Sequence, residues 1–322
     1  MVGAGLVRWG IVLLGLVPQC TGVPPPVPRR NNSSVDHKYV IEGLHNSSDH
    51  AGTLHRLLRV SLKSRYVNQH QISQRDTGGY RIRVDATFAV SDHALDLAAK
   101  TIQKMVMYMP VAIFQRLAST ATVGVFTQAE TMSVYPEFYS TANPPECCAQ
   151  DNVCCSGTCH DSCTFDGRKW FHTAGAGGRR AVIVDDNVLC NANDVYGSQS
   201  NILVHEFTHT VHTYALDSAM KTRIDNAYSN AQSKNLWADQ YAMNNAGEYF
   251  AVATSVYFNA EHLQEPNAFQ GPHMAICGSE VCTADNAGKH NLYNRDITLY
   301  GIIYEVFSSG GNQYTNIGPC TQ

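Results

Sequence analysis

The chain has 322 residues, 44% hydrophobic and 16% charged, the composition of a globular protein with a sizeable core in one large domain or two small ones. A formal net charge of −4 gives no electrostatic reason to expect nucleic acid or an anionic membrane as partner. No helical or heptad repeat is visible along it.

At the N-terminus, Arg8 supplies a short positive region, Trp9 to Val17 an apolar run and Cys20-Thr21-Gly22 small residues for cleavage. Residues 1–22 therefore read as a secretory signal peptide. The run is too short to span a bilayer, and the later apolar stretch Ile297 to Val306 is bracketed by Asp296 and broken by Glu305. A secreted, extracellular protein with no membrane span is expected. Cysteine use agrees: of 11 Cys, Cys20 leaves with the signal, and the even remainder implies up to five disulfides of open connectivity. Cys277 and Cys282 are close enough in sequence to pair with each other.

Residues 23–50 read as a Pro-rich glycosylated linker or pro-segment. Val23-Pro24-Pro25-Pro26-Val27-Pro28 favours an extended polyproline conformation, Arg29-Arg30 is a processing signal, and sequons begin at Asn31, Asn32 and Asn46. From Tyr80 to Val90 the chain alternates, with Ile82, Val84, Ala86, Phe88 and Val90 on one side, which predicts a half-buried strand. Ser91 can cap a helix carrying Ala94, Leu95, Leu97, Ala98, Ile102, Met105, Val106 and Met109, and Pro110 interrupts or restarts it. Thr122 to Thr127 and Arg180 to Asp185 predict further strands. Between them Pro144 to Gly167 holds six cysteines and almost no apolar residues, a disulfide-stapled surface excursion. A zinc knuckle is the alternative, disfavoured in an oxidising compartment. Whether this excursion shapes a cleft or contacts a partner is open at this point.

The most informative stretch follows, Asn201 to His212. It contains His-Glu-x-x-His: on a helix His205 and His209 lie one turn apart on the same side, a spacing that lets two imidazoles hold one Zn²⁺. Glu206 then sits beside the metal, placed to take a proton from water. Leu203, Phe207 and Val211 recur on another side as an apolar anchor. Two histidines need a third protein ligand. A third His six residues after His209 is excluded, because that position is Ala215. His212 is too far along the axis to share an ion with His205 and reads as a supporting or surface residue. Glu248 is the better candidate, a carboxylate at the start of a mostly apolar segment where it is costly unless paired or metal-bound. A competing account makes Asn245 an N-cap and Glu248 its capping-box partner.

Val204-His205-Glu206-Phe207-Thr208-His209, Tyr241 and Asn245-Ala246-Gly247-Glu248-Tyr249-Phe250-Ala251 together resemble the glutamate-ligand zincin metallopeptidases, the group that includes the catalytic domain of anthrax lethal factor. The resemblance implies an α+β zincin-like domain over residues 51–322, with a mixed sheet, an active-site helix, a mainly helical C-terminal part and the disulfide-rich insertion at 144–167. It implies one Zn²⁺ held by His205, His209 and Glu248, with Glu206 as general base and Tyr241 as oxyanion donor. The activity it implies is that of a secreted zinc endopeptidase acting on a protein or peptide substrate, as a monomer. Val252 departs from the pattern, since relatives often place a second carboxylate there. Two other readings stay open. Deuterolysin-type zincins take an aspartate as third ligand, which Asp217 or Asp296 could supply here. A catalytically inactive secreted binding protein on the same scaffold is the other.

Overall fold

A computed structural model describes residues 62–67, 79–141, 147, 157–164, 169–170, 173–262, 274, 287–308 and 315–321. The expected signal peptide, the Pro-rich segment and the Cys277–Cys282 loop lie outside the described residues.

Five strands form one mixed sheet in the order β1-β2-β3-β5-β4: β1 (Leu62–Val67), β2 (Ile82–Thr87), β3 (Thr122–Phe126), β4 (Gly175–Ala176) and β5 (Arg180–Val184). The three central strands are parallel, and β1 and β4 run antiparallel at the edges. The expected α+β class with a mixed sheet is what the chain adopts. Parallel β2 and β3 need a long crossover, which α1 (Asp92–Val106) and α2 (Val111–Thr120) supply. As expected, Ser91 starts α1, its hydroxyl accepting from the Ala94 N–H at 3.1 Å, and Pro110 restarts the chain as α2.

The expected alternation on β2 needs one correction. Ile82, Val84 and Ala86 are fully buried, but the strand ends at Thr87 and Phe88 turns out to solvent. The opposite face is not solvated either, because Asp85 and Thr87 are buried too. A second small core built on Phe126, Met132, Tyr135, Phe138, Val182 and Val184 covers that face. Gly124 allows this close cover, since a Cβ there would lie 2.6 Å from the Tyr135 ring. Buried Asp85 is matched by the Arg180 guanidinium at 2.7 Å, and Arg180 in turn lies over Tyr135 and reaches Glu137.

The helical side of the sheet carries the main core and the rest of the chain. A short helix, α3 (Asp185–Leu189), leads to α4 (Ile202–Thr210), which packs on β5 and continues into a π-helical turn over Val211–Ala215. The remaining helices are α5 (Ser218–Ser233), α6 (Ala246–Tyr257), α7 (Ala287–Arg295) and α8 (Ile297–Ser308). This is the expected mainly helical C-terminal part. Among the described residues, no helix is long and apolar enough to cross a membrane.

In the Cys-rich insertion Cys147 pairs with Cys159, and Cys163 is also disulfide-bonded. A further disulfide, Cys190–Cys320, ties the chain after α3 to the C-terminal tail.

Candidate metal centre

Helix α4 is anchored by the apolar side its sequence foretells. Leu203, Phe207 and Val211 are all fully buried, each burial worth about 1.5–3 kcal/mol. Its first turn is capped in an unexpected way. Asn201 occupies the N-cap position without a side-chain cap, and Asn187 of α3 supplies the missing acceptor, its Oδ1 taking the Ile202 N–H at 3.0 Å. Asn187 is itself held by donating to Asp194 Oδ1 and to the Ser200 carbonyl. At the other end, the Thr210 hydroxyl donates to the Gly178 carbonyl at 2.7 Å and fastens the helix to the β4–β5 turn.

The opposite side of α4 faces a cleft of about 320 Å³, with His205, Glu206 and His209 in its wall. The edge strand passes very close by. A Cβ on Gly175 would lie 3.0 Å from Glu206 Cγ, and one on Gly177 would lie 2.5 Å from His209 Cβ. The run Ala174-Gly175-Ala176-Gly177-Gly178 was the sequence signal for this close approach, and pattern reading passes over it because it has neither charge nor periodicity.

Across from α4, α6 begins with the motif the sequence offered. Asn245 is its N-cap and accepts the Glu248 N–H at 2.9 Å, so the capping account holds for the backbone. The Glu248 carboxylate nevertheless points elsewhere. Its Oε2 lies 3.0 Å from His205 Nε2 and 3.4 Å from His209 Nε2, and the two Nε2 atoms are 3.1 Å apart. These atoms are the only group of three potential metal ligands among the described residues.

Two observations test whether the trio fits a metal ion. Glu248 is 6% exposed, and its Oε2, though near both imidazole nitrogens, takes part in no hydrogen bond of acceptable angle. A buried carboxylate oxygen left so is costly unless a cation satisfies it. The spacing agrees: tetrahedral ligands about 2.0–2.1 Å from Zn²⁺ are separated by about 3.3 Å, close to the three edges found here. Two imidazoles and a carboxylate are a donor set that suits zinc. His205, His209 and Glu248 are therefore positioned to bind a metal.

Electrostatics favours an anionic Glu248. Burial pushes its pKa up, but the neighbouring imidazoles of His205 and His209 outweigh burial and hold the carboxyl well below the usual range. For His209 burial favours the neutral ring, and the Glu248 and Glu206 carboxylates overcome it and raise the pKa.

Tyr241 begins a single 3-10 turn just ahead of α6, half-buried in the same cleft, with its ring centroid 6.4 Å from that of His205. The other sequence candidates fall outside the trio. His212 lies in the π-helical turn with its ring 5.7 Å from Phe250, and burial lowers its pKa. Asp217 is an exposed N-cap of α5, accepting from the Met220 N–H. Asp296 is buried at the start of α8, where it accepts from Trp237 Nε1, the Tyr249 hydroxyl and the Leu299 N–H. Val252 is fully buried and supplies no second carboxylate. The chain also brings residues to the cleft that sequence reasoning missed: Thr164 from the end of the Cys-rich segment, Trp170 and Thr173 just after it, and Tyr196 from the loop after α3.

No protein family and no curated protein matches the chain. A solved structure to which it is similar is that of the Pro-Pro endopeptidase PPEP-2 from Paenibacillus alvei, at 18% sequence identity and a TM-score of 0.44, covering 70% of this chain and 97% of that one. At that distance the likeness does not bear on chemistry.

Proposed function

We propose that this chain is a secreted zinc-dependent endopeptidase of the glutamate-ligand zincin type, with residues 51–322 as its catalytic domain. The observation that carries the reading is the buried Oε2 of Glu248, which makes no hydrogen bond of acceptable angle and is set between the Nε2 atoms of His205 and His209. Those three residues would hold the ion. When bound there, zinc supplies Lewis acidity, lowering the pKa of water and polarising a carbonyl oxygen.

The chain's own residues supply the rest. Glu206, on the cleft wall one position beyond His205, takes a proton from the attacking water and passes it to the departing amine. Tyr241 is a neutral phenol on the same cleft, able to donate to an oxygen that becomes negative only in the transition state. The edge strand and α4, held together by the small residues at Gly175 and Gly177, keep Glu206 in its place against the cleft. The disulfides Cys147–Cys159 and Cys190–Cys320 support an oxidising, extracellular setting, with a peptide or protein as the partner of the site.

The test is cleavage of an unbiased peptide library by purified protein, with zinc content measured alongside. Glu206→Gln should keep about one equivalent of zinc and lose at least about 100-fold in turnover, the usual weight of a general base. A chelated sample should be inactive and recover on adding zinc. Cleavage by Glu206→Gln at the wild-type rate sinks the reading.

A further inference from the structure

Trp170 and Tyr196 both line the cleft, and each stands near a segment that a disulfide holds. The described part of the Cys-rich excursion is residue 147 and residues 157–164, and Lys169 and Trp170 follow just beyond its expected end. The excursion is stapled by Cys147–Cys159 and by the disulfide of Cys163. Around it the backbone is closely tied: Cys163 forms an antiparallel bridge with Lys169, Lys169 Nζ donates to Ser162 Oγ at 2.9 Å, and the Ser162 hydroxyl donates to the Cys159 carbonyl. On its other side the Trp170 carbonyl accepts the Thr173 N–H at 3.0 Å. The indole is half-buried and packs on the small second core, so it is a wall fixed by its surroundings. Tyr196 stands in a loop anchored by Cys190–Cys320 and by Asp194, whose Oδ1 accepts the Tyr196 N–H. It too packs on that core and lines the same cleft.

The chemistry of this wall is one-sided. Apart from His205, Glu206, His209 and Glu248, the cleft is lined by neutral residues, among them Thr164, Trp170, Thr173, Ala176, Tyr196 and Ile202, and none of the described lining residues is Lys or Arg. A carboxylate entering it would lose hydration with no fixed cation to compensate, and would face Glu206. An ammonium or guanidinium would lose hydration among these neutral side chains, with Glu206 the one lining carboxylate outside the proposed ligand set to offset the loss. An aliphatic or aromatic side chain gains by burying against the two rings.

Resting on the peptidase reading, we infer that the described end of the Cys-rich excursion, at Thr164, and the residues just after it help to wall the cleft, and that Trp170 with Tyr196 is the specificity-determining surface that selects an uncharged, apolar substrate side chain beside the scissile bond. The cysteine-rich stretch thus bears on the cleft through Thr164 at its described end.

The experiment starts from a peptide the zinc-loaded wild-type protein cleaves. Each residue flanking the cut is replaced in turn by Leu, Phe, Asp or Lys, and kcat/KM is measured. At one flanking position the wild type should favour Leu and Phe over Asp and Lys by about 10–100-fold. Trp170→Ala should lower that discrimination to within about threefold, mainly by raising KM for the apolar peptides, and Trp170→Phe should restore it. Zinc stoichiometry should stay at the wild-type value in both variants, because Trp170 is not among the proposed ligands, and that readout separates a lost wall from a lost fold. Unchanged discrimination in zinc-loaded Trp170→Ala, or a wild-type preference for Asp or Lys, overturns the inference while leaving the peptidase reading standing. No cleavage of any peptide by zinc-loaded wild type overturns the peptidase reading first and this inference with it.

Discussion

A single methyl group tests the tightest approach around the candidate metal centre. Gly177 lies where the edge strand crosses α4, and a Cβ built on it would sit 2.5 Å from His209 Cβ and 3.0 Å from the Glu206 carbonyl oxygen. Non-bonded carbons come to rest about 3.5–4.0 Å apart, so about 1 Å must be found. Neither obstacle is the loose end of a side chain: one is fixed to the helix backbone and the other belongs to it. Gly177→Ala must therefore push the β4–β5 turn away from α4, straining the bond from the Thr210 hydroxyl to the Gly178 carbonyl. Overpacking of this kind costs about 1–3 kcal/mol. Against it stands about 0.4–1 kcal/mol from the stiffer unfolded chain. The net loss is therefore up to about 2.6 kcal/mol, with a central value of about 1. The neighbouring Gly178→Ala is the control, since its Cβ would meet nothing nearer than the Arg180 carbonyl oxygen at 3.4 Å and the Phe138 ring at 3.9 Å. Urea unfolding followed by tryptophan fluorescence should show a lower midpoint for Gly177→Ala and a change within about 0.5 kcal/mol for Gly178→Ala. Zinc titration of the same samples should find weaker binding only in the first. Equal midpoints for the two variants would refute the reasoning, because chemistry and chain entropy are the same in both and only the obstruction differs.

Three further outcomes are expected. Glu248→Ala should weaken zinc binding by more than about 100-fold, beyond the usual loss from a supporting partner, whereas Asp217→Ala should leave metal content unchanged, both read by competition with a chromogenic chelator. Asp296→Ala strips the acceptor from the buried Trp237 and Tyr249 donors and should cost about 3–5 kcal/mol in urea unfolding, against about 1 kcal/mol for loss of the exposed Asp217 cap. Asp185 is pushed up to about 6, first by burial and then by the adjacent Asp186. Its folded pKa is thus above its unfolded one, so stability declines as pH rises from about 4 to 6 and stays lower above that. Asp185→Asn should flatten that decline and raise the melting temperature at pH 7.5 but not at pH 3.5, and an unchanged pH profile would count against the assignment.

How far the site could be read ahead depends on sequence distance. That His205 and His209 share one side of a helix, with Glu206 between them and Leu203, Phe207 and Val211 turned to the core, follows from helical periodicity alone. The start of α1 at Ser91 and the restart at Pro110 were legible for the same reason, since caps and breakers act within a few residues. Phe88 broke the expected pattern because alternation says nothing about where a strand stops. Buried Asp85 has no local sequence signature, because its partner Arg180 is distant in the chain.

Three carboxylates could have completed the site on paper, and only packing distinguishes them. Contact between α4 and α6 brings Glu248 Oε2 within 3.0–3.4 Å of both imidazoles, while Asp217 serves as a cap and Asp296 is spent on Trp237 and Tyr249. The same holds for the Asn187 cap on α4, the edge strand pressed against His209, and the Trp170 and Tyr196 wall. The amino-acid sequence determined the pair of imidazoles and the glutamate beside them, because a helix converts spacing directly into geometry. Which carboxylate meets the imidazole pair, and the shape of the cleft, were decided by tertiary structure, because they depend on segments that meet only when the core has formed.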